Sequence, residues 1–410
     1  MKKVLSLIIA LMLILSSTAF AEIILAHDKL NPNYQPYFEA WAKLCQEATG
    51  VTFTPVSYPS TDIFTANMKA ALPTDAAPQI FTWWSTWQGA ELVQAGLVRD
   101  LTEVWDELKD EYDEGLRGAF TFDGKVYGFP LDLAYWFMWY NTDLYEKYGL
   151  KVPETWDEMM ANCDVLVKNG ITPFSLTGSD SWTSFIWFEE LLMHSNPQAY
   201  EDLCAGKIKW TDDAVKNVFV IWKDMIDKGY FTTGNPDYFT DIPKMFTEDR
   251  LAMIMGGSWY LSPQLDSAYA DGKVGSFLVP NMEGQPDGII YEVSSVQVAK
   301  NLKEEEVADV LKVVKYMMSK EGNLAYAKEA KKIPGNPSAS TEHVLPVISD
   351  RIKEISDKGY QLHNRFWENC PTPIMSTAIE CFDAFIKNPT LETADEYLKI
   401  VQDEADNYYS

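Results

Sequence analysis

The groups best able to contact another molecule fall in a few short clusters along the chain. In PQIFTWWSTWQGAEL, residues 78–92, Trp83, Trp84 and Trp87 follow a strand-like run. PLDLAYW, residues 130–136, sets Asp132 beside Tyr135 and Trp136. Trp182 opens a helix after the turn Gly178–Asp180, Trp259 follows two glycines in GGSWY, and HNRFWENCP carries Arg365 and Trp367. Glu292 stands alone in an apolar stretch. Indole and phenol rings offer flat apolar faces, and a shielded carboxylate or guanidinium makes strong hydrogen bonds, so such a set can grip a ligand with apolar faces and a polar rim.

Catalytic chemistry is less well served. GxSxG, SxxK, HExxH and the P-loop are missing, and the four histidines at 27, 194, 343 and 363 have no metal-ligand spacing. With 60 acidic residues, a pair of carboxylates for glycoside hydrolysis can always be imagined, so a secreted hydrolase is the rival reading. For any single tryptophan, core packing competes with ligand contact. Trp87, Trp139, Tyr140 and Trp187 are read as core; His27 and Asp28, after the first strand, stay outside the main set.

Strands and helices must place these clusters. Apolar residues at helical spacing predict helices over Tyr37–Ala48, from the Thr155–Glu158 capping box to Gly170, from Thr211 to Gly229, and over Leu302–Met318, Ser376–Ile386 and Glu392–Tyr408. Between them, Ile23–Ala26, Thr52–Val56, Ile80–Thr82, Leu251–Met255, Val274–Leu278 and Val293–Val298 read as strands. Strands alternating with helices give an α/β architecture. A ligand in such a sheet binds beyond the carboxyl ends of its strands, where Trp83 and Trp84 are expected.

At 410 residues the chain has room for two lobes. Lys2, Lys3, the apolar run Val4–Leu15 and Ala19-Phe20-Ala21 form a secretory signal, with cleavage expected before Glu22. No cysteine lies near that point, so a free periplasmic or secreted protein is expected rather than a lipid-anchored one. Five cysteines, at 45, 163, 204, 370 and 381, leave at least one unpaired, and free buried thiols are favoured. A formal charge of −26 argues against nucleic acid and anionic membranes as partners.

The order of features also resembles a known family. GVTFTPVSY, PQIFTWW, AGLVRDLTEVWDEL, FDGKVYGFPLDLAYWFMWYNTDLYEKYGL, VPETWDEMMANCDVLVKNGITPFSL and MFTEDRLAMIMGGSWY, in that order, are similar to the family 1 extracellular solute-binding proteins. These are the sugar-binding components of carbohydrate ABC importers and include the maltodextrin binders. The resemblance implies a two-lobed periplasmic-binding-protein fold, with discontinuous lobes joined by two or three crossover segments and helices at the C-terminus. Crossovers are expected near Pro130–Asp132, Ile290–Ser294 and Ile333–Ser340. They divide the chain into 22–131 plus 293–335 and 132–292 plus 336–410. It further implies a monomeric carrier, not an enzyme, needing no cofactor or metal, that takes a sugar or oligosaccharide in the cleft and presents it to a membrane permease. The expected ligand contacts are Trp83 or Trp84, Asp132, Tyr135 or Trp136, Trp182, Trp259, Glu292, Arg365 and Trp367. A polyol is the alternative cargo.

Overall fold

The computed structural model describes residues 22–29 and 34–410. The export signal read from residues 1–21 lies outside the described residues. Twelve strands occur among those described: β1 (Ile24–His27), β2 (Thr54–Ser57), β3 (Ile80–Trp84), β4 (Thr121–Phe122), β5 (Lys125–Val126), β6 (Phe129–Asn141), β7 (Thr172–Phe174), β8 (Leu251–Gly257), β9 (Val274–Phe277), β10 (Gly288–Val298), β11 (Ile333–Pro334) and β12 (Gln361–Asn364). Apart from the β4–β5 hairpin they form one mixed sheet with the path β2-β1-β3-β10-β6-β8-β7; β9 and β11 add to β6, and β12 adds to β10.

Two long strands give this sheet its two-lobed form. The first part of β6 pairs with β10 and β11, whereas Trp136–Asn141 pairs with β8 and β9. In the same way, Ser294–Val298 of β10 pairs with β3, while Gly288–Tyr291 pairs with β12. Each strand therefore leaves one lobe and enters the other without a break. Their side chains are buried almost throughout, as expected for strands paired on both edges and covered on both faces. At β11 the backbone comes so close to β6 that a side chain on Gly335 would meet the Pro130 carbonyl oxygen at 2.7 Å.

Two apolar cores fill the interior, and the larger also takes in Phe64, Phe81 and Trp83 around β3. Phe38, Trp41, Phe53, Trp105, Val313 and Tyr326 form one, beneath the helices Gln35–Thr49, Glu304–Met318 and Lys320–Glu329. Trp41 donates its indole N–H to the Gly322 carbonyl at 2.8 Å, fixing the first of these helices on the third. The larger core holds Phe188, Trp210, Phe219, Trp222, Phe382 and Phe385, with Phe188 stacked on Phe382 at 4.3 Å. Each such side chain contributes roughly 1.5–3 kcal/mol on burial.

The local signals act as read. Thr155 accepts the Glu158 N–H at 3.2 Å, and Glu158 in turn accepts the Glu154 N–H, closing the helix Trp156–Lys168 at its start. All five cysteines are buried free thiols. No helix among the described residues is long and apolar enough to cross a membrane.

Candidate functional site

A cavity lies where β1, β3, β6 and β10 converge, and chain segments from both lobes close over it. Strands β1, β2 and β3 run parallel, so their carboxyl ends share one edge, which delivers Asp28, Lys29 and Trp84 to the cavity. β3 extends through both tryptophans instead of stopping at Thr82, because Trp83 and Trp84 pair with the small residues Ser295 and Ser294 of β10. Alternation along the strand then turns the two side chains different ways, although their rings still touch at a centroid separation of 5.0 Å. Trp84 faces the cavity; Trp83 is 1 % exposed, donates to the Gln88 carbonyl at 3.0 Å and packs on Phe64 and Phe81. Trp83 is thus core.

Asp132 sits at the cavity floor in the middle of β6, opposite Ser294. Its Oδ2 accepts the Tyr326 hydroxyl at 3.2 Å and lies 3.7 Å from the Lys332 ammonium, which rests over the Tyr34 ring at 4.7 Å. Burial pulls the Lys332 pKa down, opposed chiefly by Asp132. Burial likewise disfavours the charge on Lys29, but Asp28, 3.4 Å away, together with Asp132 and Glu292, outweighs it and raises its pKa. Two ammoniums and two carboxylates therefore hold one another in a compact group.

The opposite wall is aromatic and is organised by Arg365. Its guanidinium lies 4.8 Å from the Trp136 ring, 4.9 Å from Trp182 and 5.0 Å from Phe185, and its Nη1 donates to Glu292 Oε2 at 2.5 Å. The other oxygen of Glu292 accepts the Trp259 indole N–H. Trp259 stands edge-on to Trp136 and Trp182 and tilts against Phe239. The glycines of GGSWY have a different use from close approach to a ligand: a side chain on Gly257 would collide with the Trp259 indole, and one on Gly256 would meet the Tyr238 hydroxyl at 2.8 Å. Trp182 is pinned by donating to Asp180 Oδ2 at 2.7 Å.

At the third side, the short helix Phe366–Asn369 presents Trp367 and Glu368, with Trp367 edge-on to Trp84 at 5.2 Å. The Trp367 indole N–H, Ser294 Oγ and Glu368 Oε2 are buried at the cavity without a hydrogen-bond partner among the described residues. Contacts also cross the cleft. Ser181 donates to Asp62 at 2.6 Å, and the Tyr34 hydroxyl donates to the Ser262 carbonyl at 3.1 Å.

Of the residues expected at the site, Trp84, Asp132, Trp182, Trp259, Glu292, Arg365 and Trp367 line the cavity. Trp83, Tyr135 and Trp136 do not. Tyr135 points to the face of β6 away from Asp132, opposite Tyr291, and Trp136 lies behind Trp259 with the Arg365 guanidinium on its ring. Sequence reading passed over Lys29, Lys332, Glu368, Tyr34, Thr61, Phe239 and Ser294, all in the lining, and set Asp28 aside. The strand-edge rule that selects Trp84 would also have selected Asp28 and Lys29, which follow β1 directly.

The lining carries Lys29, Lys332 and Arg365 against Asp28, Asp132, Glu292 and Glu368, so its cations are matched internally. No cation is left over for an anionic ligand, and a neutral one can be held by the aromatic faces and by hydrogen bonds. No cluster of metal-ligating side chains occurs among the described residues.

Residues 40–353 match the family model described as "Bacterial extracellular solute-binding protein". The chain belongs to that family. This solute-binding protein is 26% identical over 246 residues to an uncharacterized ABC transporter extracellular-binding protein of Pyrococcus horikoshii, covering 59% of this chain and 53% of the relative. It is 24% identical over 257 residues to the osmoprotective compounds-binding protein of a Synechocystis strain, covering 58% of this chain and 59% of that one. The chain thus aligns with little more than half the length of each. In three dimensions it superposes on a bacterial solute receptor described as having an exclusive substrate preference for β-D-galactopyranose, with a TM-score of 0.87, 20% identity, and coverage of 95% of this chain and 99% of the receptor. The fold is the two-lobed one of the periplasmic binding proteins.

Proposed function

We propose that this solute-binding protein captures a neutral sugar or short oligosaccharide between its lobes and hands it unchanged to the permease of an ABC importer. The observation that carries the reading is the cavity lining: Trp84, Trp182, Trp259 and Trp367 supply aromatic faces around a polar set whose cations are already paired. A pyranose offers C–H groups to such faces and hydroxyls to Asp132, Ser294 and the Trp367 indole. The preference for β-D-galactopyranose of the structurally similar receptor supports a pyranose as the cargo. An amino acid would need free charges for both its ammonium and its carboxylate, and here Arg365 is held by Glu292 and Lys332 by Asp132. A polyol is the second reading, favoured by the relative named for osmoprotective compounds.

In this reading the lobes are residues 22–131 with 293–335 and 132–292 with 336–410, and they turn about β6, β10 and β11. The Ser181–Asp62 and Tyr34–Ser262 contacts belong to the closed form, whose shape the permease reads. The protein works as a monomer in the periplasm or outside the cell, with residues 1–21 removed, and catalyses nothing.

A thermal-shift screen against monosaccharides, oligosaccharides, polyols and amino acids tests this. A ligand at about 100 times its dissociation constant stabilises by ~2.7 kcal/mol. Sugars should shift the transition and be recovered intact after long incubation. A shift by amino acids alone, or hydrolysis that scales with protein concentration, would overturn the reading.

A further inference from the structure

We propose that Glu368 is a ligand contact of the cavity and meets a ligand oxygen as a neutral carboxylic acid, donating a hydrogen bond through its carboxyl O–H. The proposal rests on the carbohydrate reading for the nature of that oxygen, a hydroxyl or ring oxygen. Glu368 is 1 % exposed, lines the cavity, and its Oε2 has no hydrogen-bond partner among the described residues. Such a buried oxygen is stable only if protonated, paired with a cation, or supplied with a donor.

The cation nearest to hand makes no hydrogen bond to Glu368 among the described residues: Arg365 gives its Nη1 to Glu292, and its Nε–H has no partner. Arg365 is the one guanidinium facing three carboxylates, Glu292 on β10, Glu368 on its own helix and Glu189 on the helix Ile186–Ser195. Glu292 takes its Nη1 hydrogen bond, and Glu189 accepts the Phe366 N–H at 2.8 Å. Three ionised carboxylates around one guanidinium in a dry wall would leave net negative charge there, so protons are retained. Burial first, and then the Glu292 charge, outweigh the pull of Arg365 and Lys29 and push the Glu368 carboxyl up to about 8. Burial holds Glu189 well above the usual carboxylate range too. Glu190 faces Glu189, and Glu201 faces Tyr200 and Tyr291, whose own pKa values are raised by burial so that they stay neutral phenols.

A neutral Glu368 also adds a second free donor beside the unpartnered Trp367 indole N–H, in a cavity whose other ring and ammonium donors are mostly taken. The indole N–H groups of Trp259 and Trp182 are taken by Glu292 and Asp180, and both lysines face carboxylates. Trp367 and Glu368, adjacent on one short helix, would then present an indole N–H and a carboxyl O–H to one part of the ligand. An anionic Glu368 would instead favour an amino sugar or another cation at this spot.

The test is calorimetric titration of the full chain with galactose, maltose, glucose and glucosamine at pH ~6, ~7.5 and ~9, using wild type, Glu368→Ala and Glu368→Gln. Wild-type affinity for the neutral sugars should be level at the lower two values and fall about tenfold per unit above the Glu368 pKa. Glu368→Ala should lose about tenfold or more, and Glu368→Gln, which keeps an N–H donor, should recover most of that loss and abolish the alkaline decline. Affinity that rises with pH, a preference for glucosamine over glucose, or a glutamine variant as impaired as the alanine one would each overturn the proposal. If no sugar binds the wild type, the carbohydrate reading is what fails. The infrared spectrum of the ligand-free protein at pH ~7 then decides the protonation: loss of a carboxylic-acid carbonyl band in Glu368→Gln supports a neutral acid, and no change overturns it.

Discussion

Replacing Arg365 should damage the protein far more than removing a surface charge would. The side chain is 6 % exposed, its guanidinium contacts three rings at 4.8–5.0 Å, and it donates to Glu292 at 2.5 Å. Arg365→Met keeps most of the volume but strands buried Glu292 without its cation, a situation that costs about 3–5 kcal/mol. Lost cation–π contacts add about 0.5–2 kcal/mol, so a total of about 3.5–7 kcal/mol is expected in urea unfolding of the ligand-free protein at neutral pH. Glu292→Gln, which still accepts the Trp259 indole, should remove much of the penalty when combined with Arg365→Met. The double mutant should be more stable than the sum of the singles predicts by about 1.5–3 kcal/mol. A single mutant within ~1 kcal/mol of wild type, additive with Glu292→Gln, would refute the idea that this pair braces the aromatic wall.

Trp259→Ala should weaken sugar binding about tenfold or more by removing an aromatic face from the cavity; an unchanged calorimetric titration would make Trp259 purely structural. Burial, and next the nearby Asp62, raise the Asp180 pKa to about 6. Because the native state then holds a proton that the unfolded chain releases from about pH 4 upward, this group lowers stability as the pH rises toward 6, and Asp180→Asn should raise the urea midpoint near pH ~7.5 while leaving it unchanged near pH ~4. Ser181→Ala, which removes the cross-cleft bond to Asp62, should hasten ligand release by about threefold to tenfold in stopped-flow fluorescence with little effect on unfolding. A bound sugar should reduce the radius of gyration in small-angle scattering, and an identical profile with and without it would argue for a rigid pocket.

The fold was readable because its signals are local. Capping at Thr155, helical periodicity in Val215–Ile226 and the short apolar strands depend on neighbours in sequence, and the elements lie within a few residues of where the pattern sets them. The whole extent of β6 was less visible: Phe129–Asn141 is apolar nearly throughout and lacks the alternation that marks a half-exposed strand. At the site, aromatic side chains beside turns announced themselves, and Trp84, Trp182, Trp259 and Trp367 followed. Lys29 and Lys332 did not, because a lysine's usual place is in solvent and only the fold brings each to a buried carboxylate. Trp83 and Trp84 could be told to diverge, but which one faced inward depended on the register with Ser294 and Ser295.

The partner of β3 arrives late in synthesis. Ile80–Trp84 has β1 on one edge, yet its other edge is covered only by Ser294–Val298, far downstream. Until that segment emerges, an aromatic strand stands with an open flank, a surface prone to self-association and a natural target for a holding chaperone. A ligand offers no rescue at that stage, since Lys332, Trp367 and Glu368 come later still. Variants that weaken β10 should therefore show their defect first as low yield and aggregation during expression, with the affinity of the surviving molecules nearly intact.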